Sequence, residues 1–101
     1  MSSSYYSWNF DFQPTAVLVR FTSGYYGGYI DHVWTDLEEE YGHKVEFRTY
    51  NSFRHKDMLE KMNVSILPTF YLYQKGILIQ EVKGAKIDEL RAILDCVKTE
   101  D

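Results

Sequence analysis

The sequence predicts one α/β domain, built on a mixed β-sheet with helices on both faces. Three observations carry this expectation. Segments with the two-residue alternation or short apolar runs of strands are interleaved with segments whose apolar residues recur every three or four positions. Two late strand segments are separated by Lys75-Gly76, a two-residue turn signal, so the sheet closes with an antiparallel hairpin. The chain has 101 residues, 45% of them hydrophobic, which suits one core and leaves little room for a second. A chain of this size buries roughly two-thirds of the surface its unfolded form exposes, so no disulfide or structural metal is needed.

The elements follow in order. Tyr6, Trp8, Phe10 and Phe12 alternate with Ser7, Asn9 and Asp11, a strand pattern that Pro14 ends. Ala16 to Phe21 is an almost continuous apolar run, as expected of a central strand covered on both faces. Gly24 to Gly28 punctuates the chain. Ile30, Val33, Trp34, Leu37 and Tyr41 then share one helical face. Asp31, Asp36, Glu38, Glu39 and Glu40 lie mostly off that stripe and read as a solvated face, and Gly42 reads as the helix stop. Val45 to Tyr50 is the next strand. Residues 54–62 suit a short helix with Met58, Leu59 and Met62 inward. Pro68 opens a strand over Thr69 to Tyr73, and Ile77 to Val82 returns beside it. After Gly84, residues Ile87, Leu90, Ile93, Leu94 and Val97 form one face of a last helix. The predicted order is β β α β α β β α, with no internal repeat or linker.

Composition excludes several functions. The net charge of −4 argues against binding nucleic acid through phosphate neutralisation. No apolar run approaches the ~18 residues of a membrane span. Met1 to Tyr6 lacks a basic and then apolar leader pattern, which leads to an expectation of cytoplasm or nucleus. The single cysteine, Cys96, rules out an internal disulfide, a C-x-x-C pair and a thiolate-rich zinc site. Beside Ile93, Leu94 and Val97 it reads as a half-buried small hydrophobe, with an interchain disulfide as the alternative. His32, His43 and His55 are scattered and read as surface residues, so neither metal nor cofactor is expected. No Ser/His/Asp set, phosphate loop or paired-carboxylate cleft stands out. Gly24-x-x-Gly27-Gly28 could hold an anion on backbone N–H groups, but three flanking tyrosines and no nearby Lys argue otherwise. The chain is 17% aromatic with nine tyrosines, three of them clustered at Tyr25, Tyr26 and Tyr29. Clustered tyrosines suit an interface, where the ring packs and the hydroxyl bonds.

From about Ala16 to Val97 the chain resembles the thioredoxin family. Val17 to Phe21 resembles the strand before that family's active site, and Tyr25-Tyr26-Gly27-Gly28-Tyr29 falls where W-C-G-P-C would stand. Val64 to Phe70 is similar to the cis-proline segment. Tyr73 to Gly76 is similar to the closing hairpin, and Val82-Lys83-Gly84-Ala85 to the following glycine turn. The resemblance implies a thioredoxin-like fold with a shortened N-terminal region lacking most of the first helix. It also implies a cis bond at Pro68. The departures are specific. Tyr26 and Tyr29 stand at both redox positions, and Arg20 replaces the buried Asp that helps deprotonate the second cysteine. Arg20 is expected to snorkel past an aromatic neighbour such as Phe47, to pair with an acid from the first aromatic segment such as Asp11, or to lie on a face left wet by the shortened N-terminus.

Thiol–disulfide exchange needs an attacking thiolate and a resolving thiol, and tyrosine supplies neither. The resemblance therefore implies a non-enzymatic, redox-inactive interaction module, adaptor or assembly subunit. The family's groove maps onto Tyr25, Tyr26, Gly27, Gly28, Tyr29, Leu67, Pro68, Lys83 and Gly84. The expected partner is another protein or an extended peptide, added strand-like, with a homodimer as one form. Tyr6, Trp8 and Phe10 are a second candidate interface if they lie at an open sheet edge. The enzyme alternative is a glutathione-binding transferase-like protein using Tyr26. Against it, Gln74-Lys75 follows Tyr73 where such proteins carry a Glu-Ser pair, and an all-helical second domain is missing.

Overall fold

The computed structural model describes residues 16–23 and 29–98. The predicted aromatic strand Tyr6–Phe12 and the expected loss of the first helix lie outside these residues. Within them the order is β1 (Ala16–Thr22), α1 (Tyr29–Tyr41), β2 (Val45–Asn51), α2 (Lys56–Lys61), β3 (Thr69–Gln74), β4 (Ile77–Lys83) and α3 (Ile87–Asp95). The strands form one sheet in the order β2-β1-β3-β4. β1 runs parallel to β2 and antiparallel to β3, and β3 pairs antiparallel with β4, so the sheet is mixed as the sequence predicts.

Alternation along β1 sends its side chains to opposite faces. Ala16 and Leu18 pack with Trp34, Leu37 and Tyr41 of α1 and with Leu90 and Leu94 of α3. Val17, Val19 and Phe21 pack with Leu59 of α2, Tyr71 and Tyr73. Helices thus cover both faces, which is why Ala16–Phe21 reads as an unbroken run. Trp34 anchors the first cluster, with ring centroids 5.0 Å from Phe47 and 5.9 Å from Phe70. On the other face Met58 and Met62 pack beside Leu59, as the spacing over 54–62 predicts, and Val64 joins them. The Tyr71 hydroxyl there donates to the Met62 carbonyl at 3.2 Å.

Helix α1 ends at Tyr41, with Gly42 following as expected, and a side chain would not fit at that position. The Gly42 N–H donates to the Glu38 carbonyl at 2.8 Å, and a Cβ at Gly42 would meet that oxygen at 2.5 Å. The β3–β4 turn places Lys75 at φ 53° and Gly76 at φ 83°, the paired left-handed residues of a tight hairpin. A bulge opposite Leu72 and Tyr73 shifts the β4 register. Among the described strands β4 lies at the sheet edge, and Ile77, Leu78 and Ile79 are exposed.

The far ends of α1 and α3 are tied by polar contacts. The Tyr41 hydroxyl donates to Asp95 Oδ1 at 2.5 Å, and Lys44 Nζ donates to the Val97 carbonyl at 2.7 Å. The Asp95 hydrogen bond, with burial behind it, holds the Tyr41 phenol above the ordinary 10.0. A folded-state value above the unfolded one means this contribution is whole below about pH 10 and is lost as pH climbs through the raised value. Tyr41→Phe should therefore flatten part of the alkaline loss of stability seen in urea titrations above pH 10. An unchanged alkaline slope would show that Tyr41 does not titrate in this window.

Candidate functional site

Residues Tyr25, Tyr26, Gly27 and Gly28 lie outside the described residues. Tyr29 is the first residue of α1. Of the proposed wall, the structure brings Leu67 and Pro68 together with Lys83 and Gly84. The Leu67–Pro68 peptide is cis. Thr69 pairs with Lys83, and the Gly84 N–H donates to the Pro68 carbonyl at 2.7 Å. The Thr69 hydroxyl donates to the Ile66 carbonyl at 2.5 Å, which fixes the approach to the proline. Ile66 and Leu67 stand exposed beside this frame, and Lys83 pairs with Glu81 at 3.7 Å. Phe21 pairs with Thr69, so β1 ends against the proline segment.

Gly84 sits at φ +92°, where a Cβ would meet nothing within 4 Å. Its requirement is conformational. Gly84→Ala should cost about 1 kcal/mol through backbone strain, read as a shifted urea midpoint with an unchanged slope. A neutral substitution would mean the turn can move to negative φ.

Arg20 lies over an aromatic neighbour, as one expectation has it, but the ring is Trp34 rather than Phe47, and an acid not named from the sequence as its partner, Asp31, pairs with it. Its Nη1 donates to Asp31 Oδ1 at 2.9 Å, and its guanidinium carbon lies 4.8 Å from the Trp34 ring centroid. The side chain is only 9% exposed, so its face is not wet. Phe47 packs on Trp34 rather than carrying the arginine, and Asp11 lies outside the described residues. Asp31 is accordingly an exception to the solvated acidic face, while Asp36, Glu38, Glu39 and Glu40 are exposed. Sequence reasoning missed this Arg20–Asp31–Trp34 cluster. The available signal was an arginine in a covered strand, which demands an acid, and an acid in the first turn of the next helix.

Two further residues differ from expectation. Cys96 is exposed, because α3 ends at Asp95 and Cys96 is its C-cap, outside the helical face that Leu90 and Leu94 share. It borders an apolar cleft of about 240 Å³ with Leu72, Ile79, Ile93 and Val97. His55 is half-buried with its ring 4.9 Å from Tyr50, edge to face, whereas His32 and His43 are exposed. Among the described residues no cluster of His, Cys, Asp or Glu could hold a metal ion, and no helix is long and apolar enough to cross a membrane.

Comparison with known proteins gives a consistent picture. The thioredoxin family model matches residues 5–96. A chloroplastic thioredoxin F of rice is 34% identical over 44 residues, which is 44% of this chain and 24% of that protein. The match thus spans about a quarter of the curated relative's length. Among solved structures, Chlamydomonas reinhardtii thioredoxin f2 superposes with a TM-score of 0.75 at 26% identity, over 88% of this chain and 84% of the other. Mitochondrial thioredoxin 3 of Saccharomyces cerevisiae gives 0.73 at 24% identity, over 82% and 79%. Fasciola hepatica thioredoxin gives 0.74 at 24%, over 82% and 81%.

Proposed function

The chain belongs to the thioredoxin family, and on that premise we propose that it is a redox-inactive member that binds another protein or an extended peptide. The site is the tyrosine loop Tyr25 to Tyr29 together with Leu67, Pro68, Lys83 and Gly84. The observation that carries this reading is a dissociation of two features. The only cysteine stands at position 96, far in sequence from the loop where the family keeps its redox pair. The backbone frame around Pro68 and Gly84 is nevertheless intact. A frame kept without its thiols suits binding better than electron transfer.

Strand-like addition of a peptide needs backbone groups without internal partners. Leu67 makes no hydrogen bond to any described residue, and it is flanked by exposed Ile66. Tyrosines on a Gly-Gly loop supply contact area at low entropic cost. The natural test is affinity purification from the source cells, comparing wild type with Tyr26→Ala/Tyr29→Ala. A specific partner lost from the variant while its thermal unfolding stays cooperative supports the loop. An unchanged partner set moves the site elsewhere, with Tyr6, Trp8 and Phe10 next in line. Two controls bound the chemistry. Insulin reduction should show no turnover above buffer, since a lone thiol cannot resolve a mixed disulfide. Millimolar glutathione should leave Tm unchanged. A shift that Tyr26→Phe removes would revive the transferase-like reading.

A further inference from the structure

We propose that the cleft beyond the C-terminal ends of β1 and β2 binds a small carboxylate, seated on Nε of Arg20. β1 and β2 are parallel, so their carboxyl ends open on the same side of the sheet, where α1 begins. In α/β sheets this is the crevice in which ligands sit. Here it has a volume of about 330 Å³, and its lining includes Arg20, Thr22, Asp31, Trp34, Thr49 and Asn51. It is separate from the proline wall. β1 has β3 with Pro68 on one side and β2 with Thr49 and Asn51 on the other.

The observation that points to a ligand is the guanidinium itself. The Arg20 side chain is more than nine-tenths buried, at 9% exposure. Its Nη1 is held by Asp31 and its plane by Trp34. Its Nε is buried and has no hydrogen-bond partner among the described residues. A buried donor on a permanent cation is costly to leave unpaired. Arg20 is one of the residues that line the cleft. The surroundings favour an acceptor-rich ligand. Asn51 already spends Oδ1 on the Arg54 N–H at 2.7 Å, leaving its amide NH₂ as a donor. The Thr22 and Thr49 hydroxyls can donate as well. A carboxylate matches the planar side of a guanidinium. The volume lies at the low end for small-molecule sites, so the ligand has few heavy atoms or is a single acidic side chain. Asp31 makes the proposal testable by sign, because its carboxylate repels the incoming anion across the same guanidinium.

The experiment follows the arginine Nε–H signals of the full chain by ¹H–¹⁵N NMR. Sodium acetate is titrated against sodium chloride at matched ionic strength. The Arg20 signal is identified by its loss in Arg20→Lys. Expected is a saturable shift of that signal with acetate, while Arg48, Arg54 and Arg91 follow ionic strength alone. Asp31→Asn should tighten acetate binding about three- to tenfold by removing the competing charge. Thr49→Val, at an exposed position that leaves the ion pair intact, should weaken it and serves as the second variant should Asp31→Asn fail to fold. An Arg20 signal that moves linearly or not at all to 100 mM acetate overturns the proposal (a ceiling of roughly −4 kcal/mol at millimolar affinity sets that range). So does a Thr49→Val variant with unchanged affinity. Saturation by inorganic phosphate but not acetate overturns the assignment to a carboxylate. None of these readouts depends on the partner site at Pro68, so either proposal can fail alone.

Discussion

Trp34→Ala should lower the free energy of unfolding by about 3–5 kcal/mol, the range for truncating a large buried aromatic. Domains of this size are stable by roughly 5–15 kcal/mol, so the variant should stand near the edge of folding at 37 °C. The cost has three sources. The indole is 8% exposed and lies between Phe47 and Phe70, so its removal leaves a cavity that α1 cannot close without abandoning Leu37 and Tyr41. It is also the only aromatic ring recorded over the Arg20 guanidinium among the described residues, and a desolvated cation–π contact contributes on the order of 1–2 kcal/mol. Its loss further admits water beside a buried charge. Far-UV circular dichroism in urea measures the effect without needing the indole as reporter. A loss under about 1.5 kcal/mol would mean that the α1 face repacks. Trp34→Phe, which keeps an aromatic ring over Arg20, should recover more than half of the loss.

The contrast between Trp34 and Arg20 shows what sequence alone conveys about this fold. Trp34 is legible because helical spacing joins it to Ile30, Val33, Leu37 and Tyr41, and a stripe of that width must be buried. Ala16–Phe21 is legible for the matching reason, since both faces of β1 are covered. Edge position is not encoded in this way. Ile77, Leu78 and Ile79 look as apolar as β1, yet they stand exposed on β4, which among the described strands has a neighbour on one side only. Cys96 fails differently. Helical periodicity places it beside buried Leu94 and Val97, but the helix has ended at Asp95 and the rule no longer applies. The candidate site divides along the same line. Pro68 and Gly84 follow from a recognisable order of segments. The partner of Arg20 depends on how α1 docks over the end of β1, across eleven residues of chain, and no local pattern specifies which of several acids is delivered there.

Asp31→Ala should cost about 2–3 kcal/mol, whereas Arg20→Met should cost less than about 1 kcal/mol, although both delete the same ion pair. The asymmetry follows from exposure. The Arg20 side chain is 9% exposed and that of Asp31 is 39%. Removing Asp31 leaves a buried guanidinium with Trp34 alone, and an uncompensated buried charge is the expensive outcome. The figure stays below the 3–5 kcal/mol of fully buried pairs because solvent at the Asp31 side already screens the interaction. Removing Arg20 in favour of an apolar chain of similar length gives up the cation–π contact, but it also relieves the cost of a buried charge, keeps the packing under Trp34 and lets Asp31 turn to water. The double variant should then resemble Arg20→Met, because the Asp31 side chain has no other partner among the described residues, and the Thr35 hydroxyl bonds a backbone carbonyl that alanine keeps. A double-mutant cycle in urea separates these terms. If Arg20→Met proves the more damaging substitution, the arginine matters through its contact with the indole rather than through Asp31. The reverse order makes Arg20 a charge that the fold tolerates for something other than stability, which is the condition a ligand on its Nε would satisfy.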